Sequence, residues 1–147
     1  MILGLTGGIA SGKSFVADLF VECGASLVSA DLLAREVVNQ GSPTLAKLVD
    51  AFGVEILTAG GSLNREVMAQ KVFSDPLARH RLELITHPAI AHLAECRLMA
   101  LKNSPHDLIV YEAPLLFEAG AESRVDQILV VVIDPALQVE RLLTRDE

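Results

Sequence analysis

The sequence predicts an α/β protein in which a parallel sheet is flanked by helices. Two observations indicate this class. Short apolar runs alternate with stretches of helical spacing along the 147 residues, and the phosphate-loop pattern G-x-x-x-x-G-K-[ST] follows the first apolar run. Alternating strands and helices form parallel sheets because each helix returns the chain to the same end of the sheet. The length suits one core of ordinary size, so we predict a single domain over residues 1–147.

Residues 7–14, here called the phosphate loop, read Gly-Gly-Ile-Ala-Ser-Gly-Lys-Ser. Glycines let backbone amides approach a phosphate, and successive amides at a helix start form a nest for anions. We expect Lys13 to reach the β- and γ-phosphates of a nucleotide and the Ser14 hydroxyl to be a ligand of Mg²⁺. The residues expected to hold ATP here are Gly8, Ala10, Ser11, Gly12, Lys13, Ser14 and Phe15.

The other elements continue the alternation. Apolar runs predict strands at residues 2–6, 25–29, 107–112 and 125–133. Helical spacing begins at Phe15, at Ala30 and at Pro135, the last being a first helical position that suits proline.

A long helical tract lies between the second and third strands. Residues 66–103 have helical spacing almost throughout, and Asp75-Pro76 and His87-Pro88 are predicted to begin new helices. The tract exceeds an ordinary crossover connection and therefore predicts an inserted subdomain. We place the core at 1–40 and 104–135, the helical insertion at about 41–103 and the start of a lid at 136–147.

Two acidic residues follow strands at the edge where parallel sheets bind ligands. Asp31 comes after the second strand and Glu112 ends the third. The spacing leaves two interpretations open for each: Asp31 is a functional carboxylate or a helix N-cap, and Glu112 is a functional acid or a solvated strand end.

Composition limits the partners. A net charge of -7 opposes unspecific attraction to nucleic acid or an anionic membrane. The longest apolar segment, residues 128–133, is far shorter than the roughly 20 residues of a membrane span. Two cysteines provide no disulfide framework. We predict a cytoplasmic protein with a small-molecule substrate, without nucleic-acid or membrane partners, and leave its oligomeric state open.

Several motifs, taken in order, resemble those of dephospho-CoA kinases, and they cover essentially the whole chain. They lie at residues 6–14, 29–31, 34–38, 63–65, 72–76, 82–88, 114–118 and 138–146. The resemblance implies a three-layer P-loop kinase fold with a helical CoA-binding insertion and a partial lid. It also implies ATP-dependent phosphorylation of the ribose 3′-hydroxyl of dephospho-CoA, which gives CoA and ADP in the last step of CoA biosynthesis.

The resemblance also implies catalytic residues. Asp31 is expected to be the base that accepts the hydroxyl proton, with Lys13 and Thr6 beside it in the active site. Arg141 and Arg145 are expected to be lid arginines that stabilise charge on the transferring phosphoryl group. Their spacing is equally that of surface residues paired with neighbouring acids.

Substrate contacts are implied at three further positions. Arg65 and His87 are expected to bind dephospho-CoA, and Glu112 is expected to lie in the substrate site where a metal-linked acid would stand. The Arg79-His80-Arg81 run is interpreted as a solvated helix face.

The chain departs from the family in places. Phe15, Ser29 and Asn64 stand where a hydroxyl residue, an acid and aspartate are common, which affects affinity more than reaction type. The family continues with a further lid segment, a last strand and an adenine-contacting loop. We expect weak or absent turnover if the molecule ends at Glu147.

Other functions fit single features. Another small-molecule kinase, or a nucleotide-binding protein without turnover, would share the phosphate loop. A GTPase would need the D-x-x-G of Asp50 to Gly53 to follow a strand, and it falls in a helical pattern. A metal-binding module would use residues spaced about one helical turn apart, namely Glu83, His87, His92 and Cys96.

Overall fold

The computed structural model describes residues 1–103 and 108–145, without the side chain of Arg145. It divides into two compact units, residues 1–30 with 95–147 and residues 31–94. The first unit carries the sheet and the second is helical. The boundaries predicted above for core, insertion and lid remain a prediction.

Strands and helices alternate at both ends of the chain. The strands are β1 (Ile2–Gly7), β2 (Ser26–Ser29), β3 (Ile109–Glu112) and β4 (Gln127–Val131). The helices are α1 (Lys13–Glu22), α2 (Ala30–Glu36), α3 (Pro43–Phe52), α4 (Arg65–Phe73), α5 (Pro76–Lys102) and α6 (Pro135–Arg145). The predicted α/β class is confirmed.

The four strands form one parallel sheet in the order β2-β3-β1-β4. In the register, Glu112 lies opposite both Leu5 and Ser29, and Gly7 lies opposite Val131. The carboxyl ends of all four strands therefore share one edge, from which the phosphate loop leaves. Strands β3 and β4 are shorter than predicted, and Asp107 lies outside the described residues.

The first unit is held by an aliphatic core and by a link between strands. Leu5, Ala17 and Val110 are buried together, which packs α1 on the sheet. At the opposite end of β1, the Ile2 amide donates to Asp126 Oδ2 at 2.7 Å, and the Asp126 amide donates to the Ile2 carbonyl at 2.8 Å. These two bonds fix the start of β4 beside β1.

In the second unit, short helices surround a separate core. Its buried centre comprises Val37, Val38, Leu48, Ile56 and Met68. Polar caps start two of its helices: Ser42 Oγ accepts from the Leu45 amide at α3, and Asn64 Oδ1 accepts from the Val67 amide at α4. Asn64 thus caps α4 through its side-chain oxygen.

The prediction that His87-Pro88 begins a new helix is wrong. Helix α5 runs for 27 residues with Pro88 inside it. The side chains before and after the proline pack on the same core, namely Leu82, Ile85, Ala89, Ile90 and Leu93. Burial of this continuous face offsets the one backbone hydrogen bond that proline cannot make. None of the helices in the described ranges has both the length and the apolar content that crossing a membrane requires.

Candidate active site

The phosphate loop connects β1 to α1 at the carboxyl edge of the sheet. Gly12 lies immediately before α1 with φ 96°, and Ala10 has φ 58°, a left-handed conformation that is rare outside glycine. The Ser11 amide donates to the Gly8 carbonyl at 3.2 Å and closes a turn at the apex. The backbone N–H groups that follow lie at a helix N-terminus, the arrangement that binds phosphate.

Gly7 is required by a close approach of β4. A Cβ atom at this position would lie 2.6 Å from the Val131 carbonyl oxygen and 2.9 Å from Ser11 Oγ. Backbone atoms cannot move aside at such distances, so only glycine fits here. The first glycine of the motif therefore serves the packing of β1 against β4 as well as the loop.

Lys13 and Ser14 meet Glu112 in the structure. Lys13 Nζ lies 3.3 Å from Glu112 Oε1, and the Ser14 hydroxyl donates to the same oxygen at 3.2 Å. The side chains of Lys13 and Glu112 are only 12% and 10% exposed, so the ion pair is largely shielded from water. Glu112 is not a solvated strand end: the structure brings an ammonium, a hydroxyl and a carboxylate together at the loop.

Thr6 and Ser11 are buried polar residues on either side of the loop. The Thr6 hydroxyl donates to the Pro114 carbonyl at 3.2 Å, which ties the end of β1 to the segment after β3. Ser11 Oγ is buried and has no hydrogen-bond partner among the residues that the structure describes. A buried hydroxyl of this kind retains its capacity to bind a polar group that enters the loop.

Helix α6 contacts the outer side of the phosphate loop. Gln138 Nε2 donates to the Ile9 carbonyl at 2.7 Å, and an Arg141 guanidinium nitrogen lies 3.4 Å from the Ala10 carbonyl. Arg141 is thus placed at the loop, whereas the side chain of Arg145 lies outside the described residues. Gln138 was not predicted as a site residue, although its spacing of three residues from Arg141 puts both on one helix face.

Phe15 is the third residue of α1 and is 67% exposed. Its side chain supplies no hydrogen-bonding group. A hydrogen bond from this position to ATP would come from the backbone N–H, and the role of Phe15 in ATP binding remains a prediction.

Three predicted site residues belong to the second unit. Asp31 lies in the first turn of α2 and is exposed; because it is inside the helix, its interpretation as an N-cap is wrong. Arg65 is the first residue of α4 and His87 lies within α5, and both are exposed. Their roles remain predictions.

The metal-binding alternative gains no support. Among the side chains that the structure describes, no group of three or more His, Cys, Asp or Glu residues is arranged to hold a metal ion. The Asp50 to Gly53 segment of the GTPase alternative lies at the end of α3, as its helical pattern predicts.

Comparisons with known proteins agree with the sequence motifs. A family model described as dephospho-CoA kinase matches residues 1–147. The dephospho-CoA kinase of Syntrophotalea carbinolica is 56% identical over 146 residues, which cover 99% of this chain and 69% of that protein. The dephospho-CoA kinase of Geobacter metallireducens is 50% identical over 146 residues, which cover 99% of this chain and 73% of that protein.

Solved structures are similar over the same range. Dephospho-CoA kinase from Campylobacter jejuni aligns with a TM-score of 0.76 and 26% identity, covering 99% of this chain and 73% of that one. A crystal structure of a Thermus thermophilus protein aligns with a TM-score of 0.77 and 34% identity, covering 99% and 72%. The P-loop kinase fold implied by the motifs is confirmed, and the chain belongs to the dephospho-CoA kinase family.

Proposed function

We propose that the phosphate loop is the ATP site of a kinase that phosphorylates the ribose 3′-hydroxyl of dephospho-CoA to give CoA and ADP. The reaction follows from the family: dephospho-CoA kinases use ATP as phosphate donor and complete CoA biosynthesis. Within this chain, the assignment rests on the ion pair of Lys13 and the hydrogen bond of Ser14 with Glu112 at the loop.

The loop is suited to the triphosphate. Backbone amides of the phosphate loop other than that of Ser11 supply donors, and Lys13 supplies a positive charge that is largely shielded from water. Phosphoryl transfer depends mainly on positioning the reactants and on stabilising charge in the transition state. Charge stabilisation is stronger in a site that excludes water. Arg141, beside the loop, adds a second cation to this end of the site.

The oxygen donors fit Mg²⁺. Ser14 Oγ and Glu112 Oε1 lie 3.2 Å apart, and both are hard oxygen ligands of the kind that Mg²⁺ prefers. Sites of this kind use one or two protein ligands and leave the remaining positions to phosphate and water. When bound, the ion would neutralise charge on the phosphates. We assign Ser14 and Glu112 as its ligands.

Asp31 is assigned as the base. A carboxylate near the acceptor hydroxyl accepts its proton while the oxygen attacks the γ-phosphorus. Asp31 follows the last residue of β2 by two positions and is exposed. We assign Arg65 and His87 to the binding of dephospho-CoA, and Thr6 to the active site beside Lys13. Arg141 and Arg145 are assigned to the lid that closes over ATP.

The net charge of -7 favours a small-molecule substrate over nucleic acid, and we expect the enzyme to act in the cytoplasm.

The experiment follows ADP formation with ATP, Mg²⁺ and dephospho-CoA, in parallel with ATP affinity measured by calorimetry. Asp31→Asn should abolish transfer while leaving ATP affinity close to that of the wild type. Asp50→Asn, on an exposed helix position, is the matched control and should retain both. Undiminished transfer by Asp31→Asn would refute the base assignment, and an ATP affinity unchanged by Lys13→Ala would refute the ATP site.

A further inference from the structure

We infer that Gln138 is a positioning residue that fixes the orientation of the Ile9–Ala10 peptide and so sets the affinity of the phosphate loop for ATP. The inference rests on the proposed function, in which the loop binds the nucleotide. It concerns the contact between helix α6 and the apex of the loop.

The apex is a strained β-turn. The bond from the Ser11 amide to the Gly8 carbonyl encloses Ile9 and Ala10 as the central residues. Ala10 has φ 58° and is the one non-glycine residue with positive φ in the described ranges. A left-handed third residue after a second residue without positive φ, closed by this hydrogen bond, is the pattern of a type II turn, which prefers glycine at the third position. The loop thus holds an alanine where its side chain is unfavourable.

A less strained alternative is available to the same four residues. A type I turn keeps the Ser11 to Gly8 hydrogen bond and differs mainly by rotation of the central peptide. That rotation would return Ala10 to a negative φ. Because the peptide is planar and trans, it would also exchange the directions of the Ile9 carbonyl and the Ala10 N–H. The two turns therefore present different groups to a phosphate.

Gln138 favours the observed orientation. Its Nε2 donates to the Ile9 carbonyl oxygen at 2.7 Å, a bond that rotation of the peptide would break. Glycine at position 8 admits the amide, because a Cβ there would lie 3.2 Å from Nε2. With the Ile9 carbonyl held toward α6, the Ala10 N–H points in the opposite direction within the peptide plane, away from α6. Helix α6 thereby sets the geometry of the loop from outside.

The test uses Gln138→Leu, which removes the donor and keeps a side chain of similar size. We expect the dissociation constant for ATP to rise about fivefold, the effect of one lost hydrogen bond. Adding Ala10→Gly should restore most of the affinity, because glycine adopts positive φ without steric cost. Glu140→Leu, an exposed change on the same helix, is the control and should leave ATP affinity unchanged.

Urea unfolding separates positioning from general stabilisation, because Ala10→Gly also relieves strain at a positive φ. With a positioning role, Gln138→Leu binds ATP more weakly while it is still fully folded under the assay conditions, whereas a purely structural role would lower affinity only in proportion to the unfolded fraction. If Gln138→Leu does not fold, Gln138→Met keeps an unbranched side chain of similar length, removes the donor without adding a charge, and is measured in its place.

Failure of this inference differs from failure of the proposed function. Lys13→Ala serves as the reference: if it binds ATP like the wild type, the ATP site itself is wrong. If Lys13→Ala weakens binding while the Gln138 variant does not, Gln138 has no positioning role. If the Gln138 variant binds weakly and Ala10→Gly restores nothing, the peptide-orientation mechanism is overturned.

Discussion

Glu112 Oε1 contacts both Lys13 Nζ, at 3.3 Å, and Ser14 Oγ, at 3.2 Å. One carboxylate oxygen thus neutralises the ammonium of the phosphate loop and accepts from its hydroxyl. A bound phosphate would compete with Glu112 for Lys13, because both are anionic partners of the same group. The contact therefore links the acid at the end of β3 to the charge balance of nucleotide binding.

Glu112→Gln tests this link through the metal. The amide keeps the size of the side chain but removes the negative charge, so we expect the Mg²⁺ concentration for half-maximal turnover to rise roughly 10- to 100-fold. Glu112→Asp retains the charge and should lie much closer to the wild type. An unchanged Mg²⁺ requirement in Glu112→Gln would exclude Glu112 as a metal ligand.

Gly7→Ala tests the close approach of β1 and β4. The added methyl group would meet the Val131 carbonyl at 2.6 Å, and we expect a loss of about 1–3 kcal/mol in the free energy of unfolding with weaker ATP binding. Urea unfolding and calorimetry measure the two effects. Gly60→Ala is the matched control, since a Cβ there lies 3.8 Å from Thr58 Oγ1. Wild-type stability of Gly7→Ala would contradict the close approach of Val131 to Gly7.

Local signals in the sequence identified most of the fold. The phosphate loop, the alternation of strands and helices and the helix beginning at Pro76 all depend on neighbouring residues, and each appears in the structure. The break predicted at Pro88 failed because packing on the second core overrides the local preference of proline. The strand ends also differ, since pairing partners decide where a ladder stops.

At the site, residues that belong to a motif or end a strand could be predicted from the sequence, whereas residues whose role depends on tertiary contacts could not. Lys13 and Ser14 carry a motif, and Glu112 ends a strand that pairs with β1, so all three could be predicted at one edge. Gln138 carries no such signal because its function depends on where α6 lies. The left-handed conformation of Ala10 could not be predicted either, because alanine rarely adopts a positive φ.

Because the phenol of Tyr111 is buried, we expect a loss of stability at alkaline pH. Burial raises the pKa of this phenol above its ordinary value of 10.0, although the charge and hydrogen bond of Arg124 act in the opposite direction. A raised pKa in the folded state means that the neutral phenol is favoured by folding. Its contribution is complete below the unfolded pKa and is lost as the pH rises through the folded pKa.

The measurement compares the wild type with Tyr111→Phe across the range from about pH 9 to pH 11. The wild type should lose more unfolding free energy with increasing pH than the variant does. Tyr111 is the single tyrosine and there is no tryptophan, so tyrosinate absorbance reports its titration directly. Parallel pH profiles for the two proteins would show that this phenol does not contribute.

Pro88→Ala tests the continuity of α5. Proline lacks the N–H that would donate to the Leu84 carbonyl four residues earlier, so alanine should restore a hydrogen bond within the helix. We expect the free energy of unfolding to increase by about 1–3 kcal/mol, measured by urea unfolding, because an interior proline is the least favourable helix residue. Pro76→Ala is the control: at the first position of α5 proline is well tolerated, so little change is expected. A decrease in stability for Pro88→Ala would mean that the packing of the proline ring outweighs the missing bond.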